Sequence, residues 1–358
     1  MPRTRVLVVD DSATVRRRLV EALAADPGID LVGEAEDGKQ AVEMCARHRP
    51  DVITMDMMMP VMSGLAATEY IMAHFPTPIL IVSASLNRGE LFKIYDALAA
   101  GAVDVLDKPT GDELDGDWER RLLSAVKLVA KIKVITHPRA KLEARRRQLE
   151  GSAQDPAHVL QSRATIEVVA IGASTGGPGA VVDVIRRLPA RFQIPILVVV
   201  HMNAPFGSSF TDWLDAQFER PASTPENGTP VASARGRVMV APGGRHIVVR
   251  GGRMFLTDDA ERHSCRPSVD VLFETVASEY GASAAGCLLT GMGKDGALGL
   301  LKIRQSGGTT IAQDEATSTI YGMPREAAAL GAATHVLPLP EIGPWLAGLQ
   351  GPTMEVRQ

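Results

Sequence analysis

Short, wholly apolar runs alternate with stretches of helical period along most of this chain, and few folds accommodate that pattern. In the first third the runs are Val6–Val9, Leu31–Ala35, Val52–Met55, Ile79–Val82 and Val103–Leu106, with helical stretches such as Ala13–Ala25 and Leu91–Ala100 between them. A strand that is apolar on both faces needs cover on both faces. A parallel sheet flanked by helices supplies it. A last helix, Asp117 to Lys133, carries Leu122, Val126, Val129 and Ala130 on one face.

A second alternating region starts at Ile166, with runs at Ile166–Ile171, Ile196–Val200, Ala284–Leu289 and Thr309–Ala312. The interval 231–256 breaks the pattern. Val238-Met239-Val240, Ile247-Val248-Val249 and Met254-Phe255-Leu256 are separated by Pro242-Gly243-Gly244 and Gly251-Gly252, which predicts antiparallel hairpins inserted in an α/β domain. From Val134 to Ala164 large apolar residues are few, and the segment reads as a partly helical linker. Arg145-Arg146-Arg147 within it reads as a solvated face. The chain has 358 residues, enough for two domains at about 150 each. The expected division is a first domain over 1–125, a helical extension and linker over 126–164, and a second domain over 165–350.

A formal net charge of −4 and no basic recognition helix argue against a nucleic-acid partner. Cys45, Cys265 and Cys287 are scattered, which fits neither a disulfide framework nor a zinc spacing and suits a reducing compartment. Val6 to Val9 is too short for a signal-peptide core, and no run approaches the about 20 residues of a membrane span. A cytoplasmic chain without membrane insertion is the expectation. Asn227-Gly228-Thr229 then reads as a turn.

Two sites carry chemistry. Asp10 and Asp11 follow the first apolar run and Asp56 the third. In an open parallel sheet these ends converge on the crevice where ligands bind. Carboxylates packed together raise one another's pKa, a divalent cation relieves the repulsion, and an oxygen-only donor set suits Mg²⁺. Ser83 and Lys108-Pro109 follow the fourth and fifth runs, where a hydroxyl and an ammonium would bind oxygens of an anion attached at Asp56. These residues, with Val9-Asp10-Asp11-Ser12, Met55-Asp56-Met57-Met58-Met59-Pro60, Gly64, Ser83-Ala84 and Lys108-Pro109, resemble the response-regulator receiver family over about the first 125 residues. The resemblance implies a flavodoxin-like five-stranded fold. It also implies that Asp56 accepts a phosphoryl group from a histidine kinase, and that Asp10, Asp11, Asp56 and the Met58 carbonyl hold Mg²⁺. Ser83 and Lys108 would contact the phosphoryl oxygens. The chain departs from the family at Ser63, usually Asp, and at Val105, usually aromatic. In that family the aromatic commonly reports phosphorylation to a partner surface, and Val105 stands in its place here.

In the second region a strand leads into Gly172-Ala173-Ser174-Thr175-Gly176-Gly177 and then a helix. A dinucleotide fingerprint would need glycine at 174, where a side chain works against close approach to pyrophosphate. No Gly-Lys-Ser/Thr follows, so the loop is no P-loop. A serine on such a turn suits a nucleophile instead, exposed at the sheet's edge beside the free N–H groups of a helix start. His201 ends the next strand and supplies a base. Asp295, in Thr290-Gly291-Met292-Gly293-Lys294-Asp295-Gly296, supplies a carboxylate to orient it. The plainer reading makes Asp295 the N-cap of the following helix.

With Ile171 to Gly177, His201-Met202, Ala241-Pro242-Gly243, Arg266-Pro267-Ser268-Val269-Asp270, Thr290 to Gly296 and Gly322-Met323-Pro324, the chain closely resembles the chemotaxis protein-glutamate methylesterases (CheB) over nearly its whole length. The resemblance implies a doubly wound α/β esterase domain. It also implies Ser174 as nucleophile, His201 as general base and acid, and Asp295 as orienting group. Backbone N–H groups of Met292 and Thr175 would bind the oxyanion, with Met202 and Arg266 near the substrate. Its substrates would be glutamate γ-methyl esters and glutamines of methyl-accepting chemoreceptors, and phosphorylation would regulate it. The same chemistry in a non-chemotactic pathway, or a receiver fused to a dinucleotide-binding module, are the alternatives.

Overall fold

Apolar runs become strands where both faces find cover. The computed structural model describes residues 3–84, 88–109, 116–132, 134, 165–202 and 206–350. The chain divides into two units, Met1–Gln154 and Asp155–Gln358. In the first, β1 (Thr4–Val9), β2 (Ile29–Ala35), β3 (Val52–Met55), β4 (Ile79–Ser83) and β5 (Asp104–Asp107) form a sheet in the order β2-β1-β3-β4-β5. Every pairing is parallel. This is the flavodoxin-like order, in which ligands bind where the order reverses, between β1 and β3.

Helices α1 (Ala13–Ala24), α2 (Gly38–His48), α3 (Gly64–His74), α4 (Arg88–Ala99) and α5 (Asp117–Val129) connect and follow the strands. The first three starts are capped by side chains: Ser12 Oγ accepts from Val15 N, Asp37 from Gln40 N, and Ser63 Oγ from Ala66 N. A serine thus serves at 63, because what the site needs is a short acceptor at a helix start. In α5, Leu122, Val126 and Val129 are fully buried, as expected, and so is Trp118, whose Nε1 donates to Asp107 O at 2.7 Å. The helix stops at Val129, short of the expected Lys133. Apart from Val134, the linker over 134–164 lies outside the described residues, as do Arg145-Arg146-Arg147.

The described residues of the second unit form a seven-stranded parallel sheet and a three-stranded antiparallel sheet. Its elements are β6 (Val168–Ala173), α6 (Gly177–Arg186), β7 (Ile196–Val200), α7 (Phe210–Asp215), β8 (Ala222–Ser223), β9 (Thr229–Pro230), β10 (Val238–Val240), β11 (His246–Arg250), β12 (Arg253–Thr257), α8 (Val269–Tyr280), β13 (Ala284–Leu288), α9 (Ala297–Gln305), β14 (Thr309–Gln313), α10 (Met323–Ala329), β15 (His335–Leu337) and α11 (Leu339–Gly348). The parallel sheet runs β15-β14-β13-β6-β7-β10-β8. Its order reverses between β6 and β13.

The expected hairpin exists as β11 paired with β12 across Gly251-Gly252, with β9 added at its edge. Val238-Met239-Val240 does not belong to it. That run is β10, parallel to β7 in the main sheet. All three side chains are buried, at 0%, 5% and 1% exposure, a two-sided burial that the parallel sheet supplies and a half-solvated hairpin does not. Asn227-Gly228 is a turn, as expected, with Gly228 at φ 84° and Asn227 Oδ1 accepting from Leu256 N.

Candidate active site

At the carboxyl edge of the first sheet, Asp10 follows β1 and Asp56 follows β3. Both are buried, at 0% and 3% exposure. Lys108, after β5, reaches both: Nζ lies 2.8 Å from Asp10 Oδ2 and 3.0 Å from Asp56 Oδ2. Ser83 is buried at the end of β4. Asp11 is exposed, yet carboxylate oxygens of Asp10, Asp11 and Asp56 all lie within 4.8 Å of one another. The backbone does little to neutralise this cluster. Asp56 Oδ1 accepts from Met57 N at 2.8 Å and Asp10 Oδ1 from Ser12 N at 2.9 Å. Asp10 Oδ2 has Lys108 as an ion-pair partner but no aligned hydrogen-bond donor. Burial therefore raises the pKa of both Asp10 and Asp56 despite the lysine. Burial works against the charge of Lys108 too, but the two carboxylates prevail and hold its pKa high. Gly64 fits because any Cβ there would fall 1.9 Å from the Asp56 carbonyl oxygen. Met58 lies in the loop after β3 with its side chain exposed.

At the carboxyl edge of the second sheet, Ser174 follows β6 and His201 follows β7. The two strands are neighbours, and His201 N donates to Ala173 O at 3.0 Å. Ser174 N donates to Thr290 O, which ties the serine to the loop after β13. Close approach there needs glycine: a Cβ on Gly291 would lie 2.7 Å from Ser174 Cβ. The Gly291 carbonyl in turn accepts from the N–H groups of Gly322 and Met323. Among the described residues, the N–H groups of Thr175 and Met292 have no hydrogen-bond acceptor.

Asp295, 2% exposed, accepts from His201 Nε2 at 2.8 Å. It also accepts from Ser268 Oγ at 2.8 Å, Val269 N at 2.7 Å and Asp270 N at 3.2 Å. It thus sits on the N-terminus of α8, a favourable place for an anion. The plainer reading, in which it caps the helix that follows, does not hold: α9 has Gly296 at its N-cap and no side-chain cap. Burial opposes ionisation of Asp295, but the imidazole, Ser268 and Val269 overcome it and lower its pKa. Burial likewise opposes charge on His201. Asp295, and after it Cys265, outweigh burial and push the ring's pKa up to about 9.

The structure joins His201 to Asp295 directly. No hydrogen bond joins Ser174 Oγ to the ring among the described residues. His201 Nδ1 instead faces Cys265 Sγ at 3.7 Å. Arg266 turns along its own loop, its Nη1 donating to the carbonyls of Asp258 and Asp259 at 3.3 and 3.2 Å. Met202 is half-buried and Met292 is 50% exposed, while 203–205 lie outside the described residues.

Three contacts escape sequence reasoning. They are Ser268 and Cys265 on this site, and a second pair, the buried Asp270 with the exposed His263, whose Nε2 lies at 3.2 Å. Asp270 also accepts from Gly299 N, yet burial keeps its pKa raised. Ser268 stands inside a motif quoted above, but nothing in the spacing says which carboxylate it meets.

Comparison with known proteins bears on both sites. The CheB methylesterase family model matches residues 169–346 and the response regulator receiver domain model matches residues 6–115. Protein-glutamate methylesterase/protein-glutamine glutaminase 2 of Anaeromyxobacter dehalogenans is 42% identical over 338 residues, covering 94% of each chain. A namesake from Geobacter metallireducens is 43% identical over 339 residues, covering 93% of this chain and 95% of that protein. One from Syntrophus aciditrophicus is 42% identical over 349 residues, covering 97% and 98%.

Proposed function

This chain belongs to the protein-glutamate methylesterase/protein-glutamine glutaminase family, and we propose on that footing that it hydrolyses glutamate γ-methyl esters of chemoreceptors to glutamate and methanol. The observation that carries the reading is the shared edge of β6, β7 and β13. A half-buried serine, an imidazole bonded at 2.8 Å to a buried carboxylate, and two N–H groups without acceptors among the described residues all follow those strands.

The contact between His201 Nε2 and Asp295 supports one arrangement of the protons. Nε2–H of His201 donates to Asp295, so Nδ1 is the nitrogen left to act as base. Rotation of the Ser174 side chain brings Oγ toward it. Such contacts commonly tighten only with substrate bound. Nδ1 takes the hydroxyl proton as Oγ attacks the ester carbonyl. The N–H groups of Met292 and Thr175 hold the oxyanion, a contribution of about 10²–10³ in rate per donor. The proton then leaves with methanol, and a water activated at Nδ1 frees the glutamate. A glutamine side chain presents the same carbonyl and releases ammonia instead. The ring's pKa of about 9 keeps much of His201 protonated at neutral pH, which slows the resting enzyme. Met202 and Arg266 flank the substrate in this reading.

In the first unit, Asp56 accepts a phosphoryl group from a histidine kinase, and phosphorylation regulates the esterase. The residues fit Mg²⁺: three carboxylates with oxygens within 4.8 Å, two of them with burial-raised pKa values, and a buried Asp10 oxygen without an aligned donor. Asp10, Asp11, Asp56 and the Met58 carbonyl would hold it, and its charge would offset that of the transferred group. Lys108 and Ser83 bind the phosphoryl oxygens. We place its work in the cytoplasm as part of the same reading. No described helix is long and apolar enough to cross a membrane.

The test is methanol release from methylated receptor membranes, with and without a small phosphodonor. The phosphodonor should change the rate. Ser174→Ala should lower it by about 10⁶-fold, the scale seen when a hydrolase loses its serine, and leave Asp56 phosphorylation intact. Retained turnover in that variant removes Ser174 from its role.

A further inference from the structure

Of the chain's cysteines, Cys45 and Cys287 are buried and Cys265 is partly exposed. Cys265 is held in place by its backbone. It exchanges hydrogen bonds with Arg262, N to O at 2.9 Å and O from N at 3.1 Å, across a tight turn through His263 and Ser264. Its sulfur lies 3.7 Å from His201 Nδ1, and that nitrogen has no other partner among the described residues. Across a tetrahedral zinc ion, bonds of about 2.3 Å to sulfur and about 2.0–2.1 Å to nitrogen separate the two ligand atoms by about 3.5 Å. The sulfur and nitrogen already stand near that distance. The opposite ring nitrogen donates to Asp295 at 2.8 Å, the arrangement that fixes the tautomer of a metal-binding histidine. The His263 ring turns to Asp270 instead, so it does not compete for the same position.

Resting on the esterase reading of His201, we propose that Cys265 Sγ and His201 Nδ1 form a binding site for a thiophilic divalent cation such as Zn²⁺, whose occupancy blocks the nitrogen that must receive the Ser174 proton. Binding releases the thiol proton to solvent and leaves the thiolate on the metal. Water completes the coordination. The site is distinct in chemistry from the all-oxygen cluster at Asp10, Asp11 and Asp56, which suits a hard cation. Inhibition is reversible, because a chelator restores the free nitrogen.

The full chain is titrated with Co²⁺ while excess Mg²⁺ fills the acidic cluster. A near-ultraviolet thiolate-to-cobalt band is expected in the unaltered protein and is lost in Cys265→Ala and Cys265→Ser. Zn²⁺ is then titrated against methanol release, each variant scaled to its own metal-free rate. The half-inhibiting Zn²⁺ concentration should rise at least tenfold in both variants. Having two variants guards against one that misfolds, and phosphorylation at Asp56 together with circular dichroism checks each fold. A missing band in the unaltered protein, a band that survives both substitutions, or an unchanged half-inhibiting concentration overturns the proposal. A protein that shows the Cys265-dependent band but releases no methanol even when metal-free overturns the esterase reading and leaves the cation site standing.

Discussion

Asp56 and Asp295 are the same residue type at the same kind of place, a loop after a parallel strand, and both are nearly fully buried. Their pKa values move in opposite directions. Asp56 is raised, because burial dominates, one backbone N–H reaches it, and Asp10 stands beside it. Asp295 is lowered, because an imidazole, a hydroxyl and two N–H groups of a helix start surround it. Burial alone therefore does not set a carboxylate's chemistry. The number of donors aimed at it does. An under-satisfied carboxylate is disposed to take a cation and to react. A fully satisfied one is disposed to hold something else still.

Removing each charge in turn breaks or sharpens that contrast. Asp56→Asn should abolish phosphoryl incorporation from a labelled phosphodonor and yet raise the melting temperature of the first unit by a few degrees. The sign follows from linkage. A carboxyl whose folded pKa is raised costs stability once it ionises, and the neutral amide removes that cost. Asp295→Asn should behave oppositely. A lowered pKa contributes stability above the unfolded value near 3.8, lost as pH falls through the folded value. At neutral pH the substitution should lower the melting temperature, and methanol release should fall by about 10⁴-fold, the scale of a wrongly held tautomer. Calorimetry of the two variants decides it: shifts of the same sign would undo the contrast.

What the sequence revealed and what it hid divide along the same line. Continuous Val and Ile runs disclosed the central strands, and because residues after parallel strands share one edge, Asp10, Asp56, Ser174 and His201 could be picked out. Strands without such runs stayed hidden. β15 (His335–Leu337) is largely exposed, and β8 and β9 are two residues each. Val238–Val240 was visible as a strand but not as a member of the main sheet, since Gly-rich turns on its C-terminal side imitate a hairpin. Donors were the least legible. Ser268 lies 27 residues from Asp295, and Cys265 lies 64 from His201. No local pattern encodes such pairings, because the loop that carries them folds back from the antiparallel insertion.

The pH dependence probes the charge balance at His201 without a substitution. The ring must be neutral at Nδ1 to accept the serine proton, and its pKa stands at about 9. The value of kcat/KM should therefore rise about tenfold per pH unit from pH 6.5 and level off near 9. Stability should move the other way. A histidine raised from 6.5 contributes its full stabilisation below 6.5 and loses it as pH climbs through about 9. A rate profile that levels off near 6.5 would place the ring's pKa at its ordinary value and remove Asp295 as its dominant partner.

Ser268 offers the finest test, because it acts on Asp295 without touching the imidazole. Its hydroxyl donates to Asp295 Oδ1 at 2.8 Å and also caps α8 by accepting from Val271 N at 3.3 Å. Its own N–H donates to the buried His246 Nδ1, which leaves Nε2 of that ring to donate to the Ala260 carbonyl. Ser268→Ala removes a hydrogen bond to a charged group, worth about 1.5–3 kcal/mol, and a cap worth about 1 kcal/mol. Methanol release should fall roughly tenfold. A cap alone would lower the melting temperature and leave the pH profile fixed. An orienting donor does more. With one donor gone, the Asp295 charge is less dispersed and attracts the imidazolium more strongly, so the rising limb of kcat/KM should shift to higher pH. Ser268→Thr, which keeps the hydroxyl, should restore the limb to its original position even where added bulk lowers stability. A limb that stays in place in Ser268→Ala would reduce Ser268 to a helix cap and leave the backbone N–H groups of Val269 and Asp270 as the donors that hold Asp295.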